Sequence, residues 1–357
     1  MAGEVKMRKY YIDNIRILCV LLLFPFHSAY IFNNLNEAFY VNGAPSEALT
    51  AVDLCIYPWW MTGLFVLAGL SARYAFQKRT AKEFLMERMK RLFIPLLAAI
   101  LIIIPPQAYI ADIFHNGYFG GYFEHYRIFF NLTDFSGYDG HFTPGNAWFI
   151  LYLFVYSVAF TPLMAWYAKK PKKMDLSGIS LFILIVMGLI LALSDVILDI
   201  GGKSVVQFAL CFLFGFFIIS DENIQEKLAK NSPLLCILWL LFMILRPVSH
   251  MTGLWSTPIS YIAYYGVTCF GILGMIGGGK RVLDREFSWT KYLARAEFAI
   301  FLMHQTTVVV IGYFIVRWVA SPMIGWLVIT LGSAAVTFLL YEICRRFRLT
   351  RLLLSIK

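Results

Sequence analysis

Residues 16 to 27 read RILCVLLLFPFH, with a guanidinium and an imidazole at the two ends of an apolar stretch. On a helix, eleven residues at about 100° each return the two side chains to one face, about 16 Å apart along the axis. Arginine there offers a fork of donors for an anion, and histidine offers a base that titrates near neutral pH. Pro25, two residues before His27, cannot donate to the Leu21 carbonyl and is expected to kink the helix beneath the ring. A carbonyl freed in lipid is costly, so this face should line protein or a water-filled cavity. Ionisable groups at membrane depth usually mark a functional path. The plainer alternatives are an arginine that snorkels to the headgroups and a histidine satisfied by one interhelical hydrogen bond. A second histidine, His304 in EFAIFLMHQ (297–305), lies about 12 Å into an apolar segment entered near residue 296. That depth approaches His27's, so two helices could furnish one site.

The elements that must position these groups are membrane helices. The 357 residues are 60% hydrophobic and 15% charged, against about half apolar and a quarter charged in soluble proteins. Length alone would suggest two or three soluble domains; composition instead makes residues 1–357 one integral membrane domain. Since about 20 apolar residues cross the hydrocarbon, ten helices are expected: 13–32, 54–76, 92–113, 146–168, 177–197, 204–220, 233–250, 257–278, 296–316 and 322–343. Continuous apolarity without period-2 alternation argues against a β-barrel. Six connecting or terminal segments, including Lys6, Arg8, Lys9 and KKPKK at 169–173, hold 25 of the 31 Lys and Arg. The positive-inside rule therefore puts both termini in the cytoplasm. The same asymmetry accounts for the net charge of +10, and no nucleic-acid motif is present.

Residues 80–93, TAKEFLMERMKRLF, carry Leu85, Met89, Leu92 and Phe93 on one helical face, which predicts an interfacial amphipathic helix before the third span. The longest external segment, 114–145, holds His115, His125 and His141 among many aromatics. It suits either sugar rings or an interfacial aromatic belt, and its irregular histidine spacing has no metal signature. The six cysteines lie in or beside apolar runs without a C-x-x-C pair and are expected to act as small buried hydrophobes.

Five phrases in order resemble those of the acyltransferase-3 family of integral membrane acyltransferases, chiefly bacterial. The family's arginine, ten residues and histidine correspond to Arg16 and His27. LFVLAGLSARY at 64–74 is similar to F-F-x-L-S-G-F, with Ala68 in place of serine. ERMKRLFIP at 87–95 is similar to R-R-x-x-R-L-x-x-P, with Glu87 departing from the first arginine. GNAWFI at 145–150 and EFAIFLMHQ at 297–305 match the later phrases. The likeness covers essentially the whole chain and is specific for the family, not for the substrate.

The resemblance implies transfer of an acyl group, often acetyl, from cytoplasmic acyl-CoA to a hydroxyl of an extracytoplasmic or lipid-linked glycan. Acetyl-CoA or succinyl-CoA would be a co-substrate, with no tightly bound cofactor or metal, in a bacterial inner or plasma membrane. Arg16, Arg73, Arg88 and Arg91 would form a basic mouth for the donor's phosphates. His27 would be the base, and His304 or Gln305 would orient it or donate to the oxyanion. Asn146, Trp148 and Gln305 are expected on the acceptor side. Direct transfer and an acyl-histidine relay both fit. From other classes, a secondary transporter and a bis-histidine haem protein would also explain intramembrane ionisable groups. Nothing in the sequence sets the oligomeric state.

Overall fold

The computed structural model describes residues 8–35, 39–170, 174–254 and 256–356. Lys6 and positions 171–173 of the basic segments, with 36–38 of the loop after the first span, lie outside the described residues. The protein is an all-α, multi-pass membrane protein. Its elements are α1 (Tyr10–Leu21), α2 (Leu23–Tyr30), α3 (Glu47–Phe76), α4 (Ala81–Asn116), α5 (Tyr122–Phe129), α6 (Gly145–Ala159), α7 (Thr161–Lys169) and α8 (Leu181–Val196). They continue with α9 (Val205–Ile219), α10 (Glu222–Lys230), α11 (Ser232–Met251), α12 (Pro258–Val282), α13 (Thr290–Trp318), α14 (Pro322–Cys344) and α15 (Arg348–Leu353).

Each of the ten expected spans coincides with helix. Seven, counting α1 and α2 as one 21-residue run, are long and apolar enough to cross a membrane singly. Two fall on bent pairs: α6 with α7 at 50°, and α9 with α10 at 97°. The last is α8, whose 16 residues cover about 24 Å. Helices α3 and α12 are buried along most of their length, whereas α11 and α14 face largely outward.

Helix direction can be read from side-chain pairs. Arg16 meets Glu297 and His27 meets His304, so α1–α2 runs parallel to α13. Thr268 on α12 donates to the Pro58 carbonyl at 3.1 Å, and further along Gly63 faces Met275, so α3 and α12 are also parallel. The α13–α14 hairpin is antiparallel, with Thr307 and Thr337 hydroxyls 2.7 Å apart and Tyr292 donating to Glu342 at 2.7 Å.

The helical ladder is interrupted at Leu22, between α1 and α2 and next to Leu21, whose carbonyl Pro25 cannot serve. The indole of Trp326 on α14 donates to the Pro25 carbonyl at 2.9 Å.

Residues 80–93 form the first turns of α4 and lead into the third span, as the sequence suggests, started by a capping box in which Thr80 and Glu83 satisfy each other's backbone. Of the expected apolar face Leu92 is buried, Leu85 and Phe93 are half-buried and Met89 is exposed, and Phe84 adds a buried anchor beside it. π-helical turns at Met89–Phe93, Ala99–Ile103 and Asp112–Asn116 interrupt the α-helical ladder of α4.

Candidate active site

His27 and His304 face each other with ring centroids 5.0 Å apart. His27 is carried by α2 just beyond the Leu22 break. Its Nδ1 lies 3.1 Å from the Leu23 carbonyl. His304 is fully buried on α13, with Nδ1 2.6 Å from the Phe301 carbonyl. A carbonyl can only accept, so both Nδ1 atoms carry the proton and both Nε2 atoms keep the basic lone pair. The His304 Nε2 is buried without a hydrogen-bond partner. Two neutral imidazoles thus offer bases into one space.

That space is a cavity of about 560 Å³. Its walls come from α2, α3, the start of α6, the 134–143 loop, the α8–α9 connection and α13. Aromatic faces dominate, with Trp60, Tyr138 and Trp148 among them, and Asp134, Asp195 and Asp199 add carboxylates. Edge-on contacts of Phe26 with His27 (5.0 Å) and with Trp60 (5.0 Å) fix the ring environment. Of the residues singled out in the sequence, His27, His304, Asn146, Trp148 and Gln305 line this cavity, and Arg16, Arg73, Arg88 and Arg91 do not.

Asn146 uses its amide on the protein. Its Nδ2 donates to the Phe301 carbonyl at 2.7 Å and to Leu302 at 3.1 Å. The Phe301 carbonyl therefore holds both Asn146 and the His304 imidazole. Behind them Gln107, wholly buried on α4, donates to Thr306 at 2.7 Å, and Thr306 donates to the Ile103 carbonyl at 2.7 Å. Gln107 and Thr306 went unnoticed in the sequence. The available signal was an amide within the apolar run IIIPPQAYI.

Arg16 forms ion pairs with Asp13, one turn away, and with Glu297 at 3.7 Å. Glu297 sits two turns before His304 on α13, so α13 meets α1 with a carboxylate and α2 with an imidazole. Neither carboxylate was assigned in the sequence, though both stand at helical spacing from residues that were. Arg88 is stacked over Phe84 at 4.6 Å and lies within electrostatic reach of Glu87, Arg91, Arg79 and Arg16. Glu87, the departure from the family phrase, bridges Arg79 (3.1 Å) and Arg91 (3.2 Å). Four arginines therefore gather beside α4. Arg73 packs over a different set of rings, Tyr167 at 4.7 Å and Phe216 at 5.5 Å.

The three histidines of the 114–145 segment do not line the cavity. His115 lies 2.6 Å from the Phe39 carbonyl, and His141 pairs with Asp139 at 2.7 Å. His125 is buried 3.2 Å from Asp112; burial pushes its imidazole below the ordinary value, and Asp112 works in the opposite direction. The same loop contributes Asp134, Phe135, Ser136, Tyr138 and Thr143 to the cavity instead.

The fold and site together are those of a multi-pass helical membrane protein with two oriented imidazoles facing one aromatic cavity. The family model described as "Acyltransferase domain" matches residues 9–342. The chain belongs to the acyltransferase-3 family, and the protein is a membrane acyltransferase. It is similar to the Glucans biosynthesis protein C of Salmonella paratyphi A and of Salmonella agona, 24% identical to each over 99% of this chain and 96% of that protein. The protein of the same name from Salmonella heidelberg is 23% identical over the same shares. No solved structure matches.

Proposed function

We propose that this acyltransferase moves an acyl group from cytoplasmic acyl-CoA to a hydroxyl of a glycan that enters the cavity from the opposite side of a bacterial inner membrane. A glucan, free or lipid-linked, is the acceptor class that the relatives' name favours. The observation that carries the reading is the pair of imidazoles, each with Nδ1 fixed to its own helix and Nε2 left basic, in one aromatic cavity. His27 Nε2 takes the proton from the acceptor hydroxyl as its oxygen attacks the thioester carbonyl. The coenzyme A thiolate leaves and recovers that proton. Gln305 stands at the same wall, where its amide N–H can donate to the oxyanion, and His304 Nε2 is a second acceptor beside the base. Trp148 and its neighbours supply flat apolar faces for sugar rings.

The test is a purified-protein assay with labelled acetyl-CoA and succinyl-CoA against a panel of glycans. Label is expected in glycan with release of free coenzyme A. Substrate exchange across vesicles without acyl-CoA consumption would instead support a transporter, and a Soret band in the same preparation would support a haem protein.

The donor's phosphates are assigned to the arginines beside α4. Arg16 already faces two carboxylates and Arg91 one, Glu87, which leaves Arg88 as the better anion ligand and Arg91 as the second. Arg88→Ala or Arg91→Ala is expected to weaken acyl-CoA binding roughly ten- to a hundredfold, the effect of losing a charge-assisted hydrogen bond of about 1.5–3 kcal/mol. Calorimetric titration checks this, and unchanged affinity would return both residues to a topological role.

Both termini are assigned to the cytoplasm. Reporter domains fused at residues 42 and 130 are expected to behave as extracytoplasmic and a C-terminal fusion as cytoplasmic. The reverse pattern would overturn the donor's side of entry as well as the topology.

A further inference from the structure

Acyl transfer needs hydrogen-bond donors as well as a base. As the acceptor oxygen attacks, one electron pair of the acyl C=O bond moves onto the carbonyl oxygen. When the tetrahedral intermediate collapses, that bond re-forms and the thiolate leaves. The oxyanion between these steps is stabilised by donors already in place and shielded from water. His27 and His304 supply none, because each Nδ1 proton is committed to its own helix and each Nε2 is an acceptor.

The cavity wall holds one donor that the resting protein leaves unused. Trp60 on α3 lines the cavity and is 2% exposed. Its Nε1 is buried and has no hydrogen-bond partner among the described residues. An indole N–H can only donate, and a buried one usually finds an acceptor. Two other indoles do: Trp59 donates to the Cys55 carbonyl and Trp326 to the Pro25 carbonyl, both at 2.9 Å. Trp239 shares the orphaned state but does not line the cavity. An N–H buried without a partner costs stability, and a catalytic role is one reason for a protein to keep it.

Trp60 also stands beside the base. Its ring centroid lies 6.2 Å from that of His27, with the planes at 70°. Phe26 meets both rings edge-on at 5.0 Å. The supporting helix is rigid: α3 is buried along most of its length, and the carbonyls on either side of this turn are held by the Thr268 hydroxyl at Pro58 and the Thr62 hydroxyl at Trp59. We propose that Trp60 is a further catalytic residue, whose Nε1–H donates to the acyl carbonyl oxygen as it becomes the oxyanion, with the Gln305 amide as the second donor. The indole keeps its proton throughout, and the proton taken by His27 goes to the thiolate. The orphaned state of the resting protein then has a reason, since a donor already bonded would have to break that bond before it could serve the transition state. The inference rests on acyl transfer at His27.

The experiment measures initial rates and thermal midpoints of the full-length protein with Trp60 replaced by benzothienylalanine through nonsense suppression. That side chain keeps the shape of tryptophan and carries sulfur in place of the N–H. With the acyl-CoA that wild type uses and a gluco-oligosaccharide acceptor, kcat is expected to fall about 10²–10³-fold, the effect of one oxyanion donor. KM for the acyl-CoA should stay near wild type, and the midpoint should be unchanged or raised, because no hydrogen bond of the resting protein is lost. Trp60→Phe should lose kcat by a similar factor and carries the test if the analogue is not incorporated. The same analogue in place of Trp239 should leave kcat unchanged. Wild-type turnover after replacement of Trp60 would overturn the proposal. So would a loss of kcat matched by a fall in midpoint of the analogue protein, which would mark the N–H as structural, or an equal loss at Trp239. A wild type that transfers no acyl group from any acyl-CoA would sink the reaction and Trp60 with it, whereas wild-type transfer with an unaffected variant would sink Trp60 alone.

Discussion

His27→Ala is expected to lower acyl transfer by roughly 10²–10⁴-fold, the usual contribution of a positioned general base, while acyl-CoA still binds. The assignment follows from the Nδ1 contact to Leu23, which leaves Nε2 basic, and from the 5.0 Å approach to His304. His304→Ala should fall in the same range, and the double variant should lose little more than the worse single, because groups that act as a unit are not additive. Asn146→Ala should cost less than either. It removes one of two donors from the Phe301 carbonyl and leaves the imidazole with the other, so its effect should lie in kcat more than in KM for the donor. Initial rates with labelled acyl-CoA and acceptor check all four. If His27→Ala turns over like wild type, the imidazole pair is structural and the mechanism fails.

Gly69→Ala should be the most damaging conservative change to stability. Helices α3 and α9 cross backbone to backbone at two glycines. A Cβ on Gly69 would stand 1.8 Å from the Phe212 carbonyl oxygen, and one on Gly215 would stand 2.0 Å from that of Val66. Both obstacles are main chain, so relief requires the helices to separate. Small residues that allow such approach are a principal source of helix association in lipid, and overpacking typically costs about 1–3 kcal/mol or more. A large loss of thermal midpoint, or of folded protein in detergent, is expected for Gly69→Ala and Gly215→Ala. Gly178→Ala, with nothing within 4 Å of the new carbon, should be neutral. Equal midpoints for all three would contradict the crossing.

The helical segments were legible in the sequence because lipid makes apolarity continuous over a span. The histidine pair was legible from depth alone, since two spans read in the same direction carried rings at similar heights. What hydropathy does not encode is which faces meet. The carboxylate at Glu297 and the amide at Gln107 each acquire a role only from a neighbour some 200 or more residues away, Arg16 and Thr306. The π-helical turns in α4 are a further feature that an apolar pattern of period 3.6 does not signal. Asn146 was found through its phrase. Its hydrogen bonds to Phe301 and Leu302, rather than to an open site, required coordinates.

The pairing of α1–α2 with α13 also sets an order in time. Arg16 and His27 are synthesised some 280 residues before their partners Glu297 and His304. At about 5–20 residues per second, that is a delay of roughly 15 to 60 s in which a nascent guanidinium waits in or beside the bilayer. Asp13, one turn from Arg16 and already paired with it, neutralises the cation from the moment the first helix forms. Loss of Asp13 is therefore expected to penalise insertion of the young chain more than the stability of the finished protein.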